Sequence, residues 1–409
     1  MHRRPRWPAA RTGATAPAAA SPAAALARGL VRAPGRALAL GAPLILASGA
    51  ALADEPVAAA AALPGVPAPR VETLAAGLER PWSIAFLPDG RELVTERPGR
   101  LRILDGGALS GPVAGVPPVL AEGQGGLFDV VPHPRFAGNA LVYLALAHGE
   151  PGRNALRLVR ARLEGESLVD LEVLFTARPW KATPVHFGGR VAFLPDGTLL
   201  LTVGDGFDHR EDAQRLDNHL GKVVRLADDG SVPPDNPYLD EPGALPEIWS
   251  LGHRNAQGLA VHPATGEALA HEHGPAGGDE VNRLIAGGNY GWPIASGGRD
   301  YSGAAITPFA RYPGTIDPLV EWTPSIAPSG LAIGTGALFP ELEGELLVGA
   351  LKSRELLRVR PGEAGEPAAE AVLLSGHGRV RDVRVAPDGS LRVLVDSDDG
   401  EVLRLVPGD

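Results

Sequence analysis

The chain has 409 residues and no cysteine, which excludes disulfide staples, thiolate zinc sites and cysteine nucleophiles. Its composition is globular, 44% hydrophobic and 21% charged, with no internal apolar run long enough to span a membrane. The net charge of -10 is unevenly spread: residues 1–53 hold seven of the 38 basic residues and no acid, leaving 31 basic against 48 acidic residues, a net of -17, and an acidic body lacks the basic footprint of nucleic-acid binding.

Residues 1–36 are rich in Ala, Pro and Arg. The apolar run Ala37–Ala53 follows and ends at Asp54-Glu55. A positive n-region, an h-region and an Ala-x-Ala site make the pattern of a secretory signal peptide, so cleavage after Ala53 and a periplasmic location are expected. A membrane anchor fits less well, because the run is short and holds Gly and Pro. Arg3-Arg4 lies far from the h-region, which favours Sec over twin-arginine export. The n-region is long, and a start at Val31 would leave a compact signal. Residues 54–70, rich in Ala and Pro, read as a disordered leader.

Over the whole chain Gly and Pro together stand at roughly twice their usual share, which favours an all-β fold with many turns in the body, 71–409. One pattern recurs from Val71 onward: an apolar pair, a proline, a short polar turn and an alternating apolar strand. Its six copies surround Pro88, Pro132 with Pro134, Pro195, Pro263, Pro340 and Pro387. Each reads as two antiparallel strands, and six copies of about 57 residues suggest a six-bladed β-propeller of four-stranded blades. A pair of β-sandwiches is the alternative. Closure requires the last strand, Glu401 to Val406, to pair near the first, Val71 to Leu78.

A propeller alone names no function. In chain order, the polar clusters begin with Gln124 in the Gly-rich AEGQGGLFDV. His186 precedes a strand in HFGGRVAFLPDG, and Asp205 ends the same repeat. A carboxylate beside an imidazole fixes its tautomer and raises its basicity, although a histidine in this setting, taken alone, is more often structural. In SLGHRNAQGLAVHP, Arg254 and Asn255 offer donors suited to a carboxylate or quinone oxygen, with an Asn255 turn cap as the equal alternative. His271 and His273 point one way along a strand and Glu272 the other, which argues against a transition metal. Gly274, Pro275, Asp279 and Glu280 supply carbonyls and carboxylates that suit calcium, without EF-hand spacing. Lys352 is one of three lysines, with Lys181 and Lys222. Arg379 and Arg381 share one side of a strand, as a solvated face or as a contact for an anionic ligand.

Together these segments resemble the soluble PQQ-dependent aldose sugar dehydrogenases, the glucose/sorbosone dehydrogenase family. The similarity covers about 71–406, with RPWSIAFLPDG, EGQGGLFDV, HFGGRVAFLPDG, GHRNAQGLA, HGPAGGDEVN, GGNYGWP, LKSRELLRV and RVRDVRVAPDG in the family's order. The resemblance implies that His186 removes the proton of a sugar's anomeric hydroxyl while hydride passes to PQQ, giving a lactone. It implies that Asp205 supports His186 and that Arg254 stabilises charge developing on the quinone. Gln124, Arg254, Asn255, Lys352, Arg379 and Arg381 match PQQ contacts, with Arg354 and Tyr301 added to that set. Gly274 and Pro275 match carbonyls that hold the calcium on PQQ, and Glu280 and Tyr290 match ligands of a second, structural calcium.

Val185 stands where the well-known soluble glucose dehydrogenase has an acidic residue, and the long loop insertions of that subgroup are absent. Both features point to the broader aldose dehydrogenase branch and to a monomer or weak dimer. The expected partners are an aldose substrate and an electron acceptor, quinone or cytochrome, with no nucleic acid. The competing readings are a calcium-dependent sugar lactonase, which needs a carboxylate-rich site and no basic socket, and a non-catalytic propeller binding module, which needs neither His186 nor Asp205.

Overall fold

The computed structural model describes residues 68–361 and 367–408. The signal-peptide expectation, and most of the leader, fall on residues outside that range.

Strand β1 (Arg70–Leu78) is followed by five complete blades in chain order. Blade one is β2 (Pro81–Phe86), β3 (Glu92–Glu96), β4 (Arg100–Asp105) and β5 (Ala108–Leu109). Blade two is β6 (Leu127–Pro132), β7 (Leu141–Glu150), β8 (Arg153–Glu164) and β9 (Ser167–Thr176). Blade three is β10 (Gly188–Phe193), β11 (Leu199–Val203), β12 (Lys222–Leu226) and β13 (Ile248–Leu251). Blade four is β14 (Ala256–Val261), β15 (Ala268–Glu272), β16 (Asp279–Leu284) and β17 (Val320–Trp322). Blade five is β18 (Pro328–Ile333), β19 (Leu346–Ala350), β20 (Leu356–Pro361) and β21 (Pro367–Leu374). Blade six joins β22 (Val380–Val385), β23 (Leu391–Val395) and β24 (Gly400–Val406) to β1, in the order β22-β23-β24-β1.

The ring therefore closes as the sequence requires. Arg70 pairs with Val406 and Leu78 with Gly400, so the first strand completes the last blade and no blade is left with a free terminal strand. The six proline-marked repeats are the hairpins of first and second strands: β2-β3, β6-β7, β10-β11, β14-β15, β18-β19 and β22-β23. One detail differs from the alternating pattern. Strands β3, β11, β15, β19 and β23 are buried at every residue. Each blade packs on a neighbour through both faces, so its second strand has no solvent side to mark with polar residues. The hydrophobic core accordingly lies between blades, as where Leu200, Val223 and Trp249 of blade three meet Leu259 and Ala270 of blade four. No helix among the described residues is long and apolar enough to cross a membrane.

The first strands surround the axis, and the axis is filled by one side chain. Arg190 of β10 is 1% exposed. Its Nε donates to the Gln257 carbonyl of blade four at 2.7 Å. One terminal nitrogen reaches the carbonyls of Ser329 in blade five and Arg381 in blade six, at 3.4 and 3.3 Å. The other lies 3.0 Å from Asp382 of blade six and 3.8 Å from Asp129 of blade two. The guanidinium also covers the Trp82 ring of blade one at 4.1 Å. Arg384 adds a second cation to the same two carboxylates, at 3.1 Å from each. Removing one partner of a buried ion network leaves uncompensated charge in a poorly solvated place. Arg190→Met is therefore expected to lower the unfolding free energy by about 3–5 kcal/mol, measured by urea denaturation. A loss under about 1 kcal/mol would show that the axis does not depend on this side chain.

Candidate active site

Two concavities adjoin at one mouth of the ring. The central one, about 760 Å³ including its opening, lies over the inner strands. Its walls include Trp82, Phe128 and Phe187, whose rings pack in sequence at 5.4 and 5.5 Å. Four arginines face it, Arg80, Arg97, Arg379 and Arg381, against one carboxylate, Asp396. That carboxylate accepts from Arg381 at 3.1 Å and from Arg379 at 3.5 Å, with Arg80 3.8 Å away. Arg80 pairs more closely with Asp398, at 2.6 Å, so Arg97, Arg379 and Arg381 with Asp396 leave positive charge for a ligand. Arg379, exposed just ahead of β22, and Arg381, buried within it, both line this cavity.

The second concavity, about 710 Å³, is lined by His186, Asp205, Arg254, Pro275 and Tyr301 among others. His186 Nδ1 lies 2.7 Å from Asp205 Oδ1. The pairing depends on two left-handed or crowded backbone positions. His186 itself has φ 51°, and Gly204 lies against it so closely that a Cβ there would come 2.2 Å from the His186 carbonyl oxygen. The His186 amide donates to Gln124 Oε1 at 2.9 Å, which explains the value of an amide in that Gly-rich loop. Asp205 Oδ2 accepts from Trp292 Nε1 at 2.8 Å. Burial lowers the His186 pKa and outweighs the raising effect of Asp205, so the ring is neutral at pH 7. Burial alone would raise Asp205, yet the hydrogen bond and charge of His186 with Arg254 nearby hold it below the usual carboxylate range. A carboxylate on Nδ1–H leaves the Nε2 lone pair for a proton, the arrangement of a general base.

Arg254 is buried and donates to the carbonyls of His273 and Gly274 at 3.0 and 2.7 Å, with Tyr301 Oη at 3.4 Å. Asn255 Oδ1 accepts from the Gly188 amide of the neighbouring blade at 3.2 Å, a contact between blades and not a local turn cap, and the residue lines the central cavity. Lys352 and Arg354 are exposed between β19 and β20, and it is their neighbour Leu351 that lines the cavity.

The His-Glu-His run behaves as the strand geometry predicts. His271 and His273 reach the Gly330 and Pro328 carbonyls at 3.1 and 2.7 Å, while Glu272 reaches His253 at 2.9 Å on the other side. Burial pushes His271 and His273 down to about 4 and about 3, so both are neutral structural donors. Asp279 is not free for a cation. Its two oxygens accept from the Gly274, Ile326 and Ala327 amides and from Ser325 Oγ, which shapes the loop instead. Glu280 is half-buried beside the buried Glu272, with the Asn282 amide donating to both at 3.1 and 3.4 Å, and desolvation plus the neighbouring carboxylate raises its pKa. The Tyr290 hydroxyl is occupied, donating to Arg283 and accepting from the Ile285 amide, so only its main-chain carbonyl could meet an ion. No group of three or more His, Asp or Glu side chains placed to hold a metal occurs among the described residues, which leaves main-chain oxygens to complete any such site.

Sequence reasoning missed Arg80, Arg97 and the aromatic walls. Arg80 and Trp82 stand in the quoted segment RPWSIAFLPDG, but nothing in a single sequence distinguishes a cavity arginine from a surface one. It also missed Lys181, which lies under the His186 loop. Its ammonium donates to the Thr183 and Val185 carbonyls and to Asn154 Oδ1, the last two at 2.9 Å, and sits 3.7 Å over the Phe187 ring. Burial pushes its pKa from 10.5 down to about 7. Between those values the unfolded chain binds a proton that the native chain has released, so stability rises with pH across that window. The stability difference between the parent and Lys181→Met is expected to move in the parent's favour from pH 7 to 10, by denaturation at each pH. A pH-independent difference would refute the buried-lysine assignment.

A family model described as glucose/sorbosone dehydrogenase matches residues 78–404. The chain is similar to aldose sugar dehydrogenase YliI of Escherichia coli, 41% identical over 346 residues that cover 82% of this chain and 92% of that one. Among solved structures, the apo form of the soluble aldose sugar dehydrogenase of Escherichia coli matches with a TM-score of 0.80 at 40% identity, covering 83% of this chain and 100% of that one. The PQQ-bound form of aldose sugar dehydrogenase from Streptomyces coelicolor matches with a TM-score of 0.67 at 31% identity, covering 84% and 99%.

Proposed function

The chain belongs to the glucose/sorbosone dehydrogenase family, and from that premise we propose that it is a PQQ-dependent enzyme oxidising the anomeric hydroxyl of aldoses to lactones. The observation that carries the reading is the pairing of a basic, aromatic-walled central cavity with a buried His-Asp pair at its edge.

The donor set suits the cofactor. PQQ is a flat tricarboxylate quinone, and a cavity with Arg80, Arg97, Arg379 and Arg381 around Trp82, Phe128 and Phe187 offers charge and flat apolar surface to match. Bound there, PQQ would supply an electrophilic carbonyl carbon that takes the sugar's C1 hydride with its electron pair. His186 would take the C1 hydroxyl proton on Nε2, and Asp205 would hold the ring and stabilise the imidazolium that results. Arg254, fixed by two carbonyls, would place positive charge where oxyanion character develops.

Calcium fits less simply. Pro275 lines the cleft, but the Gly274 carbonyl already accepts from Arg254. A carbonyl has a second lone pair for an ion. A dication beside that guanidinium would be repelled unless an anionic ligand lay between them, so calcium would bind there only together with such a ligand. For the second calcium, the adjacent Glu272 and Glu280 form the carboxylate pair whose repulsion a cation would relieve. Export to the periplasm through the 1–53 segment completes the proposal, with a quinone or cytochrome as acceptor.

The test is to give purified apo-protein PQQ and calcium, then an aldose and a dye acceptor. Dye reduction requiring PQQ is expected, and absence of PQQ binding at micromolar concentration would overturn the reading. His186→Ala is expected to keep its PQQ affinity and lose turnover by about 10²–10⁴-fold. Activity near the parent's would move the base elsewhere.

A further inference from the structure

We infer that Phe207 is the platform on which the apolar face of a pyranose substrate rests beside His186, an inference that stands on the sugar-oxidising reading of the cleft. Three observations meet at this residue. Its backbone lies in the left-handed region at φ 70°, where a bulky aromatic residue is sterically strained and Gly or Asn is usual. The residue is 44% exposed, so burial does not offset that strain. Its ring lies 5.2 Å from the His186 imidazole, nearly perpendicular at 85°, on the wall of the same cleft.

The strained conformation is held from both sides. The Phe207 amide donates to Asp205 Oδ1 at 2.8 Å, the oxygen that also faces His186 Nδ1. The Asp208 amide donates back to the Gly206 carbonyl at 2.9 Å, and the Gly206 amide to the His186 carbonyl at 3.3 Å. The carboxylate that orients the base thus also orients the aromatic ring. A ring fixed at that distance from the base, unfavourable for the free protein on two counts, is placed for a ligand.

The ligand chemistry follows from the rest of the wall. Tyr301 adds a second aromatic, 65% exposed, while Asp208, Glu211 and Asp300 add acceptors. A pyranose with mainly equatorial hydroxyls has this mixed character: a flat face of C–H groups for an aromatic ring, and a rim of hydroxyls for carboxylates. Phe207 would therefore determine the substrate's tilt, and so how its C1 hydroxyl meets His186.

The test uses Phe207→Gly, which suits the left-handed backbone, and Phe207→Tyr, which keeps the ring. Three readouts are taken: KM for aldopyranoses with the PQQ-loaded enzyme, saturation-transfer NMR of the sugar on cofactor-free protein, and Tm. Phe207→Gly is expected to raise KM about tenfold, to weaken the saturation transfer and to keep Tm within about 3 °C of the parent. Phe207→Tyr is expected to stay within about threefold in KM. A KM within twofold of the parent in Phe207→Gly, or a fall in Tm above about 10 °C with loss of PQQ binding, would overturn the inference and make Phe207 a bystander or a packing residue. If instead the parent itself oxidises no aldose, the sugar-oxidising reading fails, and the saturation transfer separately reports whether sugar touches this wall.

Discussion

One guanidinium holds the six blades in register. Propeller blades pack on each other through apolar faces that could slide, and apolar packing is non-directional. Arg190 supplies the direction, because its hydrogen bonds, ion pairs and ring contact reach blades one, two, four, five and six from its place on blade three. Asp129 and Asp382 neutralise it and in turn fix the Val191 and Ile84 amides of neighbouring first strands, at 2.9 and 3.2 Å. A buried charge is tolerable only with its partners complete, so the network works as a unit.

The site inherits its precision from that axis. His186 stands four residues before Arg190, joined to it through Phe187, Gly188 and Gly189. Trp82, which the Arg190 guanidinium covers, is also a wall of the central cavity, so that wall rests on the axis. Beneath the loop, Lys181 gathers the carbonyls that precede His186; above it, Gln124 holds the His186 amide. These contacts restrict the imidazole to one placement beside Asp205, which a general base needs more than it needs strength.

The fold was legible because it repeats. Each proline-marked hairpin carries its own turn signal, and six signals at propeller spacing leave few architectures. Closure by β1 on β24 followed from the two terminal strands. The buried second strands were legible as strands but not as two-sided ones, since alternation and continuous burial differ only by a few residues. The candidate site's lining was legible where side chains lie close in sequence or in a recognised segment, as with His186, Arg254 and Asn255. It was not legible where blades far apart in sequence converge: Arg80, Arg97 and Asp396 come from the first and last repeats and meet only after the ring has closed. Asp279 shows the converse. A carboxylate in a Gly-rich turn looks like an ion ligand, and only the four donors around it reveal a loop brace.

In the proposed reaction, a quinone held in the arginine-lined cavity would take hydride from a sugar whose proton goes to His186. Anaerobic stopped-flow mixing of PQQ-loaded protein with an aldose, following the quinone chromophore, addresses it most directly. Bleaching in a single turnover is expected, slower when deuterium replaces hydrogen at C1 of the sugar. A chromophore unchanged by saturating aldose, or bleaching at a rate indifferent to C1 deuteration and to loss of the His186 imidazole, would contradict it.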